Sequence, residues 1–191
     1  MLEYTDDELV LEAKRGRPDA AESLVRRHAK AIGSYLCRLT GSFHDGEDLM
    51  QETFARFFGA VDGYQPEGKL RAYLYRIASN LARNRIKSTR MRSDELDETM
   101  ADPGPQPDER AETRERIRAL QRAIAILPQD QREALILKTY HQLSYEEISV
   151  AQDASVSAVK VRVFRARESL RQGLSARSAE KIRDESTEGC S

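Results

Sequence analysis

KLRAYLYRIASNLARNRIKSTRMRS, residues 69–93, carries eight basic side chains and no acidic one. The whole chain of 191 residues is balanced, with 31 Lys and Arg against 32 Asp and Glu. A one-sided stretch inside a neutral chain favours a polyanionic partner, and nucleic acid is the leading candidate. Because ordinary solvated helix faces mix both signs, the missing acids count against a merely solvated surface.

The same stretch also has the apolar spacing of a helix. At about 100° per residue, one face gathers five apolar side chains: Leu70, Leu74, Ile77, Ala78 and Leu81. A second face gathers Tyr73, Arg76, Asn80, Arg83 and Lys87. One face can therefore pack on a core while the other presents an aromatic ring, an amide and three cations to a partner.

Composition favours an all-α protein. The chain has 10 Gly, 6 Pro and no run of alternating β-branched residues, so we expect helices and no sheet. No apolar stretch approaches the roughly 20 residues that span a bilayer, and the acidic N-terminus is unlike a signal peptide. Cys37 and Cys190 indicate neither a disulfide framework nor a zinc site. We expect a cytoplasmic protein with no membrane insertion, no metal and no cofactor.

An acidic segment divides the chain. Residues 94–112 hold eight acids and one base and include PGPQP, a composition that cannot form a core. We therefore predict two small helical domains joined by a flexible acidic linker. The predicted boundaries are a first domain at 1–92, the linker at 93–113, a second domain at 114–175 and a disordered tail at 176–191.

Local signals set helix boundaries in the first domain. Thr5 and Glu8 have the spacing of a capping box, and Pro18 suits the first turn of the following helix. We expect residues 41–46 to form a turn, followed by a helix over residues 48–61 with a broad apolar face.

The second domain has the parts of a helix-turn-helix. Ser144 and Glu147 form a second predicted capping box, which opens a short helix, a turn at 153–155 and a longer basic helix. On that last helix an apolar stripe should face the core: Val156, Val159, Val163, Ala166 and Leu170. The opposite side carries Ser157, Lys160, Val161 and Phe164, flanked by Arg162 and Arg165. Such a helix can lie in a DNA major groove.

Three stretches together resemble the extracytoplasmic-function (group IV) sigma factors of bacterial RNA polymerase. DLMQETFARFF (48–58) looks like the core-polymerase-binding helix of that family. RAYLYRIASNLARNRIK (71–87) is similar to its promoter-melting segment, which reads the −10 element. LPQDQREALILKTYHQLSYEEIS and SAVKVRVFRARESL, within 127–170, are similar to its −35-reading domain. They occur in the order of the family, with its linker between them.

The resemblance implies three sets of site residues and three partners. The set for core polymerase, docking on the clamp helices of its largest subunit, is Asp48, Gln51, Glu52, Phe54 and Phe58. The set for the −10 element of promoter DNA is Tyr64, Lys69, Tyr73, Arg76, Asn80, Arg83 and Lys87, with Asn80, Tyr73 and the 64–70 loop holding an unstacked base. The set for the −35 element is Ser144, Ser157, Lys160, Val161, Arg162, Phe164 and Arg165. An anti-sigma factor is a further implied partner.

This chain departs from the family pattern at three places. Tyr73 stands where a Trp is common, although a Tyr ring can still stack on a base. Asp153 stands where the turn usually has Gly, and Asp tolerates the left-handed conformation better than most residues. Val161 stands where the recognition helix usually has a hydroxyl, so that only apolar contact, for instance with a thymine methyl, remains there.

Three other interpretations fit the sequence less well. The sequence lacks the residues expected of a catalytic site. His28, His44 and His141 lie in different segments, and no glycine-rich phosphate loop is present. A sigma-like mimic that binds an anti-sigma factor instead of DNA would not need the cations that both faces keep. An ordinary regulator whose first domain merely oligomerises leaves Asn80 and the acid-free face unexplained.

Overall fold

The computed structural model describes residues 4–93 and 119–188, and these residues form helices and no β-strand. The N-terminal module, residues 4–93, contains α1 (Asp6–Lys14), α2 (Pro18–Thr40), α3 (Phe43–Gly59), a 3-10 turn (Val61–Gly63) and α4 (Leu70–Ser93). The C-terminal module, residues 119–188, contains α5 (119–125), α6 (Gln129–Thr139), α7 (Tyr145–Gln152) and α8 (Val156–Glu188). The all-α prediction is confirmed for these residues. Residues 94–113 of the predicted linker lie outside the described residues.

The helix starts follow the signals in the sequence. Both capping boxes are formed: the Thr5 amide donates to the Glu8 carboxylate at 2.7 Å, and the Ser144 amide donates to the Glu147 carboxylate at 2.7 Å. Pro18 is the first residue of α2. These caps satisfy amide groups that have no partner within the helix itself, which is why they can be recognised from local sequence.

The turn between α2 and α3 is shorter than we expected. Gly41 ends α2 in the left-handed conformation with φ 75°, and Ser42 caps α3 by accepting from the Asp45 amide at 3.2 Å. The helix predicted from residue 48 therefore begins five residues earlier, at Phe43. Gly46 lies inside α3, where that helix closely approaches Cys37 of α2. Only glycine fits there, because a Cβ atom would collide with Cys37.

The core of the N-terminal module lies between α2, α3 and α4. Tyr35 and Phe57 are fully buried within it, and Tyr35 is hydrogen-bonded to Ser79 of α4 at 2.7 Å. The apolar face predicted for α4 is buried as expected at Leu70, Leu74, Ala78 and Leu81, with Ile77 half-buried. The charged and amide side chains of that helix are thereby left to the other faces.

Helix α8 follows the predicted stripe and then continues past it. Val159, Val163 and Ala166 are buried, with Val156 and Leu170 half-buried beside them. The backbone stays helical to Glu188, where we expected order to end after residue 175. Residues 176–188 of the tail predicted to be disordered are thus helical in the structure, and residues 189–191 lie outside the described residues.

The two modules pack against each other. Their buried side chains form one continuous cluster, in which α7 lies against α4 and α6 lies against α2. The sequence predicted two separate domains on a tether. Both predicted helical domains are present, and in this structure they are packed against each other.

Two non-glycine residues of the C-terminal module have a positive φ, Gln142 at 53° and Asp153 at 49°. Both side chains are exposed. The left-handed conformation costs an ordinary L-residue roughly 1–2 kcal/mol, and Asp relieves part of this cost by local hydrogen bonding. We expect Gln142→Gly to raise the free energy of unfolding, measured by urea titration, by more than Asp153→Gly does. Equal gains, or losses at both sites, would contradict this reading of the two turns.

Candidate nucleic-acid interface

Helix α4 presents an open polar face beside its buried one. Asn80 and Lys87 are exposed on this face, and Lys69, just before the helix, is exposed next to its ion-pair partner Glu67 at 3.0 Å. The Arg76 guanidinium lies 4.8 Å from the centre of the half-buried Tyr73 ring. An aromatic ring, an amide and cations therefore lie together on one surface. Proteins bind single-stranded nucleic acid with this combination, in which aromatic rings stack on bases and cations contact the backbone.

Tyr64 supports this surface from behind. Its ring is only 9% exposed, and its centre lies 4.8 Å from that of Tyr73 and 5.9 Å from that of Phe57. Burial raises the pKa of its hydroxyl to about 12. The sequence placed Tyr64 among the DNA-contacting residues. The ring packs against Tyr73 and can hold it in place, while a direct contact of Tyr64 with DNA stays a prediction.

Arg83 is occupied by an internal partner. Its Nε and one terminal nitrogen donate to the two carboxylate oxygens of Glu133 on α6, at 2.9 and 2.5 Å, and Glu133 is fully buried. The paired carboxylate raises the pKa of Arg83 further above its ordinary value. In this structure Arg83 links the two modules, and its contact with DNA stays a prediction.

The predicted core-polymerase surface lies on the outer side of α3. Asp48 and Gln51 are exposed, Glu52 is partly exposed and paired with Arg56 at 2.7 Å, and Phe58 is half-buried. Phe54 differs from this set because it is only 6% exposed and packs in the core against Phe58, with ring centres 6.4 Å apart. Phe54 thus lies mostly below the surface, and its contact with core polymerase stays a prediction.

The outer side of α8 carries an exposed apolar pair. The side chains of Phe164 and Val161 are 69% and 47% exposed, although both are large and apolar. Ser157, Lys160 and Arg165 surround them and are also exposed. This surface matches the predicted groove-facing side of the helix, and it combines apolar contacts with cations.

Two residues of the predicted −35 set have structural partners. The Ser144 hydroxyl accepts from the Glu147 amide at 3.0 Å and so caps α7. Arg162 is paired with Asp130 at 3.0 Å and donates to Gln152 at 3.1 Å. Both side chains support the packing of the helix-turn-helix, and their contacts with DNA stay predictions.

The seam between the modules centres on His141, for which the sequence predicted no role. Its Nδ1 is 3.0 Å from the Tyr75 hydroxyl, its ring meets Tyr35 edge-on at 5.7 Å, and Arg71 donates to its carbonyl oxygen. Burial first, and then the charges of Arg38 and Arg71, lower the pKa of His141 to about 4. No local pattern marks this seam, since its two sides are 66 residues apart.

Within residues 4–93 and 119–188, no three His, Cys, Asp or Glu side chains are grouped so that they could hold a metal ion. No helix of the same residues combines the length and the apolar character needed to cross a bilayer.

The Arg83–Glu133 pair gives a stability prediction. Replacing Arg83 by Met leaves a buried carboxylate without its cation, which should cost about 3–5 kcal/mol of unfolding free energy. The matched control is Arg85→Met on the same helix, whose partner Asp45 is partly exposed, so that its loss should cost about 1 kcal/mol or less. Urea titration measures both. Adding Glu133→Gln to Arg83→Met should recover part of the loss, and equal losses for the two arginines would contradict the assignment.

His141 gives a prediction for the pH dependence of stability. Its folded pKa of about 4 lies below the ordinary 6.5, so between these values the unfolded chain binds a proton that the folded chain does not. Stability should therefore fall as the pH drops from 6.5 towards 4. A shift of this size corresponds to about 3 kcal/mol, and we expect His141→Gln to remove about 2 kcal/mol of the fall because the ring is not fully buried.

Chemical unfolding at several pH values measures this effect, with His44→Gln, whose side chain is 86% exposed, as the control. His28 contributes a fall of the same sign, because burial lowers its pKa despite its partner Asp6. The fall should therefore shrink in His141→Gln without vanishing. A profile identical to that of the unaltered chain would refute the burial of a neutral His141.

Comparison with known proteins gives two family matches. Residues 24–92 match Sigma-70 region 2, and residues 117–170 match Sigma-70, region 4. The RNA polymerase sigma-H factor of Pseudomonas aeruginosa is 31% identical over 185 residues, which cover 91% of this chain and 96% of that protein. The ECF RNA polymerase sigma factor SigE of Mycolicibacterium smegmatis is 37% identical over 83% of this chain, which spans 63% of that longer relative.

Solved structures agree with these matches. The structure of CnrH in complex with the cytosolic domain of CnrY is similar with a TM-score of 0.69 at 25% identity, covering 90% of this chain and 97% of that one. The sigma factor RpoE of Bartonella quintana, solved with the anti-sigma factor NepR, shares the fold with a TM-score of 0.65 at 23% identity, covering 81% of this chain and 96% of that one. This chain thus belongs to the extracytoplasmic-function (ECF) sigma factors of bacterial RNA polymerase.

Proposed function

We propose that this chain binds core RNA polymerase and directs initiation at promoters whose −35 and −10 elements it reads and whose −10 DNA it melts. The observation that carries the proposal is the pair of open faces on α4 and α8. One combines Tyr73, Arg76 and Asn80, and the other combines Phe164 with cations. Each face fits one form of DNA, single-stranded for α4 and double-stranded for α8.

Core polymerase binding is assigned to the outer side of α3. Asp48, Gln51, Glu52 and Phe58 reach the surface there and can contact the clamp helices of the largest subunit. The Arg56 side chain, paired with Glu52, leaves that carboxylate within reach of a competing cation on the partner, because the pair is exposed. Phe54 acts from within, by fixing the helix on its core.

The −10 element is assigned to the open face of α4. Unstacking a base costs a few kcal/mol, which stacking and pocket contacts must offset. Tyr73 can supply the stacking surface, and its ring is positioned by contacts with Arg76 and Tyr64. Asn80 can offer both a donor and an acceptor to the edge of the base, while Lys69 and Lys87 contact phosphates.

The −35 element is assigned to the outer side of α8, which would lie in the major groove. Lys160 and Arg165 can bind phosphates or guanine edges, and Ser157 can bond to either strand. Val161 and Phe164 offer only apolar contact, which among the base pairs favours the thymine methyl group. The two modules together would gain from their shared chain, because binding at one element raises the effective concentration at the other.

An anti-sigma factor is the proposed regulator. The similar RpoE of Bartonella quintana is solved with its anti-sigma factor NepR. A mimic that binds only such a regulator is the second candidate function. It is disfavoured because Lys69, Lys87, Lys160 and Arg165 remain exposed on the two DNA faces, where a mimic has no use for them.

Asn80 provides the test of the −10 assignment. Asn80→Ala should reduce open-complex formation by about tenfold or more, because it removes hydrogen bonds to an unstacked base. Binding to core polymerase should stay unchanged. Asn84→Ala is the matched control, since Asn84 is an exposed asparagine one turn further along the same helix. Permanganate footprinting measures melting, and co-purification with core polymerase measures docking.

Run-off transcription on a promoter library decides between the two candidate functions. Promoter-specific transcripts support the sigma-factor assignment. Binding to core polymerase without any promoter-specific transcript would contradict it and favour the mimic. Equal loss of melting in Asn80→Ala and Asn84→Ala would remove the special role of Asn80.

A further inference from the structure

Helix α1 holds the loop that precedes α4. The Lys14 ammonium donates to the carbonyl oxygens of Asp62 and Tyr64 at 3.1 and 2.5 Å. The Asp7 carboxylate accepts from the Gly68 amide at 2.8 Å. Two side chains about two turns apart on one helix therefore fix three backbone groups at the two ends of the segment 62–68.

The middle of this loop is left free by those contacts. Gln65 and Glu67 are exposed, Pro66 is partly exposed, and Gly68 has a φ of 69°, which suits glycine at the point where the chain turns into α4. The loop therefore has pinned ends and an outward tip. The backbone of the loop is thus fixed at both ends, and its residue Tyr64 lies next to Tyr73.

Helix α1 is itself anchored firmly enough to act as a support. Leu9 and Val10 are buried in the core. Asp6 pairs with Arg27 at 2.6 Å and with His28 at 2.9 Å, which ties the start of α1 to α2. The contacts of α1 with the 62–68 loop therefore fix the position of that loop relative to α2 and, through the core, relative to α4.

We propose that Lys14 and Asp7 are positioning residues for −10 recognition, which hold the 62–68 loop so that its tip and Tyr73 form one pocket for an unstacked base. This inference rests on the proposed function, and it extends the reading surface to a helix outside residues 24–92, the range matched to Sigma-70 region 2. A base selected in this pocket would be read by groups whose spacing α1 sets.

The chemistry of the two side chains suits this task. An ammonium group can donate to two carbonyl oxygens at once, and charged donors form stronger hydrogen bonds than neutral ones. Tyr64 belongs to the loop, and its ring lies 4.8 Å from that of Tyr73. Movement of the Tyr64 backbone would therefore be passed on to the ring proposed to stack on the base.

A purely structural role for Lys14 would change stability or overall activity, but not which base is preferred. The decisive readout is therefore selectivity. Single-base changes in a DNA site usually lower binding by about 5- to 150-fold. The loop can influence this ratio only at the positions that it contacts, so preferences at the −35 element serve as an internal reference.

The test uses the full chain with core polymerase and a promoter library randomised in the −10 element. Lys14→Met removes the ammonium and keeps the length of the side chain, whereas Lys14→Arg keeps a charged donor. Asp7→Ala is the second variant, aimed at the other end of the loop. Arg15→Met is the control, because Arg15 is an exposed residue directly after α1 whose side chain pairs only with Glu12 among the described contacts.

We expect Lys14→Met to reduce the preference at one or two −10 positions by about fivefold or more, the lower end of a base-pair contribution. Preferences at the −35 element and affinity for core polymerase should not change. Lys14→Arg should restore most of the lost selectivity, Asp7→Ala should reduce it at the same positions, and Arg15→Met should behave as the unaltered chain.

Unchanged −10 preferences in Lys14→Met, with the unaltered chain selective, would overturn this inference alone. A chain that selects no promoter even without substitution would overturn the proposed function instead. Amide hydrogen exchange of the unaltered chain gives a check that needs no variant. Gly68 should be protected by its bond to Asp7, and exchange at the rate of an unfolded peptide would also overturn the inference.

Discussion

The buried carboxylate of Glu133 is the constraint on which the arrangement of the two modules depends. It is completely enclosed, and an ionised group in such a place is tolerated only with a well-placed cation. Arg83 of α4 supplies that cation through two hydrogen bonds, with Gln129 and Gln152 as additional donors. Because a guanidinium can satisfy both oxygens only in one orientation, this contact fixes the rotation of α4 relative to α6.

Because this contact fixes the orientation of α4, each face of the helix lies in a different environment. Leu74 and its apolar neighbours enter the core, Arg71 and Tyr75 meet His141 at the seam, and Asn80 remains towards solvent. A single helix thus joins the core, the neighbouring module and the proposed DNA surface. The division explains why a stretch with eight bases shows only part of its charge to a partner.

The sequence predicted well what depends on neighbours along the chain. Both capping boxes, the stripe of α8 and the left-handed turn at Asp153 were foreseen, because each depends on residues within one or two turns. The start of α3 was missed because SFHDGE has the composition of a turn, while Gly46 is in fact needed where α3 approaches Cys37. The burial of Tyr64 was missed for a related reason, since ring packing depends on distant partners.

The partner of Arg83 could not be predicted from the sequence. A cation on an acid-free face looks the same whether its partner is a phosphate or a carboxylate 50 residues away. Energetics separate the two cases: leaving Glu133 without its cation would cost about 3–5 kcal/mol, more than one exposed ionic contact of about 1 kcal/mol returns. Arg83 therefore stays with Glu133 while the modules are packed together. Among the described contacts, Lys69, Lys87 and Arg76 are paired with no buried carboxylate, which makes them the cations most readily available to the proposed DNA contact.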